Sequence, residues 1–153
     1  MGSFPKSIII DKKSNSNLKI AIIVSQWNTN ITKNLLEETS KTLIKNGVKK
    51  SNIYEIKVPG SFELVYAAKK IGKQKKIDAI IVIGCIIKGE TPHFEYISNS
   101  VSLGIKDLNV IMNKPVIFGV LTTKNIDEAI ERSTGKSNKG KEFAISAIQM
   151  TKI

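Results

Sequence analysis

The segment Gly84-Cys85-Ile86-Ile87-Lys88-Gly89-Glu90-Thr91-Pro92-His93 holds the chain's single cysteine and its single histidine. It leaves an apolar run and turns at Gly89. The spacing then predicts a helix start, with Thr91 as cap and Pro92 in the first turn. Free backbone N–H groups at a helix start, together with the helix dipole, make an anion site. His93 falls on that turn, beside the anion, where an imidazole can pass protons near neutral pH. A plain glycine turn before a surface histidine would read the same way, so this loop alone does not decide.

Other residues follow apolar runs in the same manner. Trp27 comes directly after the run Lys19 to Ser25, between Gln26 and Asn28. An aromatic there can stack on a flat heterocycle, although by position alone a cover over the core edge is the simpler reading. Phe62 and Glu63 follow the Pro59-Gly60 turn and put a carboxylate at a helix start, where it also complements the dipole. Arg132 is the only arginine among 24 basic residues. A chain that writes lysine nearly everywhere but keeps one arginine points to a need for its planar fork. An arginine late in a helix also suits that helix end without any ligand. Phe118 lies inside a strand-like run and reads as core.

The elements that must position these residues alternate. Lys19 to Ser25, Asn52 to Val58, Asp78 to Gly84 and Pro115 to Leu121 read as strands. Ile31 to Asn46, Ser61 to Ile71, a long helix through Phe94, Ile97, Val101, Ile105 and Leu108, Asn125 to Ser133, and Lys139 to Lys152 read as helices. Asn125 and Glu128 have the spacing of a capping box. Such alternation predicts right-handed crossovers, a mostly parallel four-stranded sheet and a three-layer α/β/α sandwich of the flavodoxin-like kind. Ligands of such sheets bind beyond the carboxyl ends of the strands. The loops Gln26 to Asn30, Pro59 to Glu63, Cys85 to Pro92 and Thr122 to Lys124 are therefore where chemistry is expected. Ile8 to Ile10 is strand-like but has no helix of its own. It is expected in an N-terminal arm, residues 1–17, pairing with its own sheet or with a neighbouring subunit. Residues 18–153 form a single domain in this reading.

Composition narrows the function classes. A chain of 153 residues with 41% hydrophobic residues can bury one core. The run Ala79 to Ile83 is far too short to span a bilayer, and no signal peptide is read, so no membrane partner is expected. One cysteine excludes an internal disulfide and suits a cytoplasmic protein. The net charge of +11 raises nucleic acid as a partner. The lysines are spread along the chain, and arginine, the better phosphate and base reader, is nearly absent, so nucleic acid is not expected. Gly135 to Lys141 fits the first seven places of a phosphate-binding loop, but Glu142 stands where Ser or Thr is required, and a helix precedes it. It reads as a chance match. A lone histidine and a lone cysteine speak against a zinc site, and neither a metal nor a cofactor is expected.

Several ordered segments together resemble the lumazine synthase family over nearly the whole chain. Val58-Pro-Gly-Ser-Phe-Glu-Leu64 resembles its pyrimidine segment, and Gly84 through Tyr96 its glycine-turn and histidine segment. Pro115 to Thr123, followed by Asn125 to Arg132, resembles the strand and helix before its phosphate arginine. Asn138-Lys-Gly140 and Ala144 to Met150 resemble its closing helix. The resemblance implies a transferase of riboflavin biosynthesis. It would condense 5-amino-6-(D-ribitylamino)uracil with 3,4-dihydroxy-2-butanone 4-phosphate to give 6,7-dimethyl-8-ribityllumazine, phosphate and water.

The resemblance also implies roles. Trp27 would stack on the pyrimidine. Ser61, Phe62 and Glu63 would line the pyrimidine and ribityl pocket, with Glu63 on the ribityl hydroxyls. Cys85, Ile86 and Ile87 would complete it, largely through backbone groups. Glu90, Thr91 and Arg132 would bind the phosphate, and His93 would transfer protons. Phe118 would come from a neighbouring subunit, which implies at least a homopentamer, with a 60-subunit shell left open. Riboflavin synthase, which consumes the product, is the implied protein partner. Cys85 stands where Thr or Ala is the more usual residue, and Glu90 puts a negative charge near the phosphate. A catalytically silent shell protein of the same fold is the alternative, but such a chain would be expected to have lost His93 or Arg132.

Overall fold

The computed structural model describes residues 11–74 and 76–153. Four strands, β1 (Ile20–Ser25), β2 (Ile53–Val58), β3 (Ala79–Ile87) and β4 (Val116–Thr123), form one sheet in the order β2-β1-β3-β4. Every pairing is parallel. Central strands of such a sheet are covered on both faces, which is why β1 reads as an unbroken apolar run and is buried at every residue.

The helices are α1 (Thr29–Lys45), α2 (Glu63–Gly72), α3 (His93–Ile111), α4 (Ile126–Ser133) and α5 (Gly140–Met150). Side chains alternate across β1, so Ile20, Ile22 and Val24 face one layer while Ala21 and Ile23 face the other. The first layer holds Ile31, Leu35 and Leu43 of α1, Ala129 of α4, and Ala144 and Ile148 of α5. The second holds Leu64 and Ala68 of α2 and Val101, Ile105 and Leu108 of α3. This is the three-layer sandwich expected, with a wholly parallel sheet.

The ends of several elements differ from the sequence reading. β3 runs to Ile87, and β4 runs to Thr123, because Ile86 and Ile87 pair with Thr122 and Thr123. Cys85 to Ile87 are therefore strand, and the loop begins at Lys88. The polar threonines had suggested an earlier stop. Helix α2 starts at Glu63, and Pro92 rather than Thr91 occupies the cap position of α3, which has no side-chain cap bond. The Thr91 hydroxyl accepts the His93 N–H only at 3.5 Å.

The capping box is half present. Asn125 Oδ1 accepts the Glu128 N–H at 2.9 Å, while the Glu128 carboxylate accepts from Lys124 N at 3.0 Å, one residue beyond the reciprocal position.

The stretch resembling a phosphate loop serves packing. Asn138 Nδ2 donates to the Ser133 and Asn34 carbonyls, and its Oδ1 accepts the Gly140 N–H at 2.8 Å. A Cβ on Gly140 would lie 2.6 Å from the Leu35 carbonyl oxygen, so glycine lets α5 close on α1. The Ile8 to Ile10 strand expected in the arm lies outside the described residues. Among the described residues, no helix is long and apolar enough to cross a membrane.

Candidate active site

The chain goes from β1 to β2 on one side and returns past β1 to β3 on the other. The carboxyl ends of β1 and β3 therefore mark the topological switch point, where a crevice opens. A cleft of about 590 Å³ lies there. Its walls come from three connections: Trp27 and Asn28 after β1, Gly60 to Glu63 after β2, and Cys85 to Ile87 with His93 and Ile97 on either side of the β3–α3 turn.

The loops after β1 and β2 are tied together. Gln26 N donates to the Val58 and Pro59 carbonyls at 2.9 and 3.2 Å. Trp27 is 72% exposed, so it does not cover the core edge. Its indole lies beside Gly60, where a Cβ would be 3.6 Å from Trp27 Cδ1. Glu63 folds its carboxylate back to accept the Gly60 N–H at 2.8 Å. Phe62 is exposed, and Ser61 is buried against β3. A Cβ on Gly84 would stand 2.6 Å from Ser61 Oγ, so this glycine allows the β2–α2 turn to close on the strand.

Asn28 Nδ2 donates to the Cys85 carbonyl at 2.9 Å across the cleft floor. The Cys85 side chain is buried, and desolvation pushes its thiol up to about 11. Beyond Ile87 the chain exposes Lys88, Gly89, Glu90 and Thr91 before α3. Lys88 Nζ lies 3.3 Å from Glu95 Oε1 and bridges this turn. A backbone hydrogen bond at Glu95, with help from Lys88, holds the Glu95 carboxyl below the usual range. His93, the first residue of the 19-residue α3, is exposed at the rim. The α3 start brings backbone N–H groups to this rim, an arrangement suited to an anion.

Trp27, Ser61, Phe62, Glu63, Cys85, Ile86, Ile87 and His93 thus share one cleft. Glu90 and Thr91 stand on the neighbouring turn without lining it. Phe118 lies mid-strand on β4, opposite Val82, and is 41% exposed rather than core. Arg132 is in the last turn of α4, where Nη1 donates to the Glu128 carbonyl at 2.9 Å and sits 3.9 Å from Glu131 Oε2. Within one chain the cleft receives neither Phe118 nor Arg132.

Asn28, Gly60 and Ile97 line the cleft without having been singled out. Ile97 was findable, since it follows His93 by one helical turn and so shares its face. Among the described residues, no group of three His, Cys, Asp or Glu side chains could hold a metal ion.

A sequence model of the family described as 6,7-dimethyl-8-ribityllumazine synthase matches residues 17–153. The chain belongs to the 6,7-dimethyl-8-ribityllumazine synthase family. Relatives bearing that name are similar over most of their length. The protein of Parabacteroides distasonis is 47% identical over 88% of this chain and 85% of its own. That of Cytophaga hutchinsonii is 48% identical over 88% and 86%. That of Bacteroides fragilis is 49% identical over 87% and 94%. The lumazine synthase family accounts for the fold as well as the motifs, since its match spans the four strands and five α-helices of the described residues.

Proposed function

We infer that this chain is a transferase of riboflavin biosynthesis. It condenses 5-amino-6-(D-ribitylamino)uracil with 3,4-dihydroxy-2-butanone 4-phosphate, yielding 6,7-dimethyl-8-ribityllumazine, phosphate and two molecules of water. The observation that carries this reading is the cleft at the β1 and β3 ends. It gathers an exposed indole, a carboxylate, strand-end backbone groups and the only histidine, in a chain of this family.

The roles follow from the chemistry each group can do. The indole of Trp27 offers a flat face for the pyrimidine. Ser61, Phe62 and the strand end Cys85 to Ile87 frame the ring, and Glu63 accepts from ribityl hydroxyls. The exocyclic amine attacks the ketone, and loss of water gives an imine. Phosphate then leaves, and ring closure releases a second water. Holding two substrates in register supplies much of the acceleration. His93 moves the protons for imine formation and elimination. Glu90 and Thr91, through the turn before α3, hold the phosphate. Arg132 is its cationic partner, with N–H donors to spare beyond the one on the Glu128 carbonyl.

That neither Phe118 nor Arg132 lines the cleft of its own chain favours a site completed by a neighbouring subunit. We therefore read the protein as at least a homopentamer, with a 60-subunit shell left open. The outer edge of β2 is unpaired among the described residues and would accept a strand from an N-terminal arm, residues 1–17, leaving 18–153 as the catalytic domain. The enzyme works in the cytoplasm in this reading and hands its product to riboflavin synthase.

Incubation with both substrates tests the reaction. A lumazine absorbance band should appear only when both are present, and its absence would refute the reading. Native mass spectrometry tests the assembly. A particle at least five times the 16.9 kDa chain is expected, and a stable monomer with full activity would refute the shared site.

A further inference from the structure

Asn28 is the only residue other than glycine with positive φ among the described residues, at φ 55 and ψ 49. Asparagine tolerates this left-handed conformation better than most side chains. It occupies the cap position of α1, where an asparagine side chain usually accepts a helix N–H, yet it makes no such bond. Its backbone carbonyl takes the Ile31 and Thr32 N–H groups instead. The side-chain amide is spent elsewhere, on the Cys85 carbonyl at 2.9 Å.

The location of that bond gives it meaning. β1 and β3 pair residue by residue up to Val24 and Ile83, and there the register ends. Cys85 lies two residues past the last pair, at the point where the two strands part and the cleft opens. The Asn28 amide closes the gap that the backbone ladder leaves. Trp27 is the preceding residue, and little else packs on its ring, which is 72% exposed. A large exposed aromatic on a turn has many rotamers and backbone states to choose from, and pinning the turn removes some of them.

We propose that Asn28 is a positioning residue: its left-handed backbone and its amide bond to Cys85 anchor the β1–α1 turn to β3 and so hold Trp27 at the pyrimidine side of the cleft. This rests on the reading of Trp27 as the stacking residue. Asn28 acts through Trp27 and does not itself recognise the pyrimidine.

Two variants separate backbone from amide. Asn28→Gly keeps access to the left-handed conformation and removes the amide. Asn28→Asp keeps the size, but its carboxylate cannot donate to a carbonyl. Trp27 is the only tryptophan, so its fluorescence anisotropy in the free enzyme reports the turn without interference. Both variants should lower that anisotropy. Both should raise the pyrimidine KM by roughly fivefold to tenfold, the scale of one neutral hydrogen bond, and leave the KM for the phosphate substrate near its wild-type value. In a Trp27→Ala background the same Asn28 substitutions should have no further effect on pyrimidine KM.

Unchanged anisotropy in both variants would overturn the proposal, even if the melting temperature fell. A pyrimidine KM effect that persists in Trp27→Ala would also overturn it, because Asn28 would then be touching the substrate itself. Failure of the stacking reading is distinguishable. Trp27→Ala alone would leave pyrimidine KM unchanged, which overturns the link to substrate, while the anisotropy of Asn28→Asp still decides whether the anchor exists.

Discussion

The Trp27 indole lies against Gly60, so that a Cβ on the glycine would stand 3.6 Å from Trp27 Cδ1, while most of the residue stays exposed. The contact joins the turn after β1 to the turn after β2, and the exposed side chain lines the cleft. An aromatic in this situation contributes little to the core. Trp27→Ala is therefore expected to change stability by no more than about 0.5 kcal/mol, as surface substitutions do. It should weaken pyrimidine binding by about 0.5–1.5 kcal/mol, the range of aromatic stacking beyond burial. Trp27→Phe and Trp27→Tyr should retain most of the binding. Thermal melts and calorimetric titration of the four proteins check both halves. A Trp27→Ala protein that binds pyrimidine normally but melts much lower would make Trp27 a packing residue.

Arg132 is the only arginine, and one N–H of its guanidinium donates to the Glu128 carbonyl. Arg132→Lys keeps the charge and loses the two-pronged geometry. The phosphate substrate should bind more weakly by about 1.5–3 kcal/mol, the scale of a hydrogen bond to a charged group. The pyrimidine KM should hardly move. Steady-state kinetics with each substrate varied in turn measure the split, and an unchanged KM for the phosphate substrate removes Arg132 from the site.

Cys85 lines the cleft floor, with burial pushing its thiol up from 9.0 to about 11. The thiolate is the nucleophile, so alkylation should be slow at neutral pH and accelerate only toward pH 11. The pKa is raised in the folded state. The stability that accompanies this is complete below about pH 9, where the thiol is protonated folded or unfolded, and is lost as pH rises through the folded value near 11. Iodoacetamide labelling followed by mass spectrometry across this range gives the profile. A labelling midpoint below 9 in the native protein would mean that the thiol is activated rather than buried.

Much of the scaffold was legible because burial on both faces leaves a plain signature. β1 and the first part of β3 are apolar without interruption, and α3 shows Val101, Ile105 and Leu108 at helical spacing. The carboxyl ends of β3 and β4 were harder. Thr122 and Thr123 look like loop residues, yet threonine is a good strand former when a neighbouring strand supplies the pairing, as Ile86 and Ile87 do here. For Trp27, position alone favoured a cover over the core edge and only the motif resemblance favoured stacking, because hydrophobic size says nothing about which side of a turn a ring falls on; the residue is 72% exposed. The left-handed turn at Asn28 has no signature in periodicity, and the carbonyl its amide meets lies 57 residues away. Phe118 and Arg132 carry motif signals but do not meet the cleft of their own chain. Spacing along one chain cannot reveal geometry that would need two.

The most direct measurement is the rate of lumazine appearance, followed by absorbance with both substrates, in the wild type and His93→Ala side by side. His93 stands at the cleft rim on the first turn of α3 and is the only imidazole in the chain. General acid–base groups typically contribute about 10²–10⁴-fold. The lower end is expected here, because imine formation and elimination still proceed slowly once the two substrates are aligned. A lumazine band is expected from the wild type, and from His93→Ala a turnover lower by about 10²-fold with pyrimidine binding intact. Undiminished turnover in His93→Ala would return His93 to a surface residue at a helix start. A wild-type protein that forms no lumazine from the two substrates would not be the condensing enzyme, whatever the role of His93.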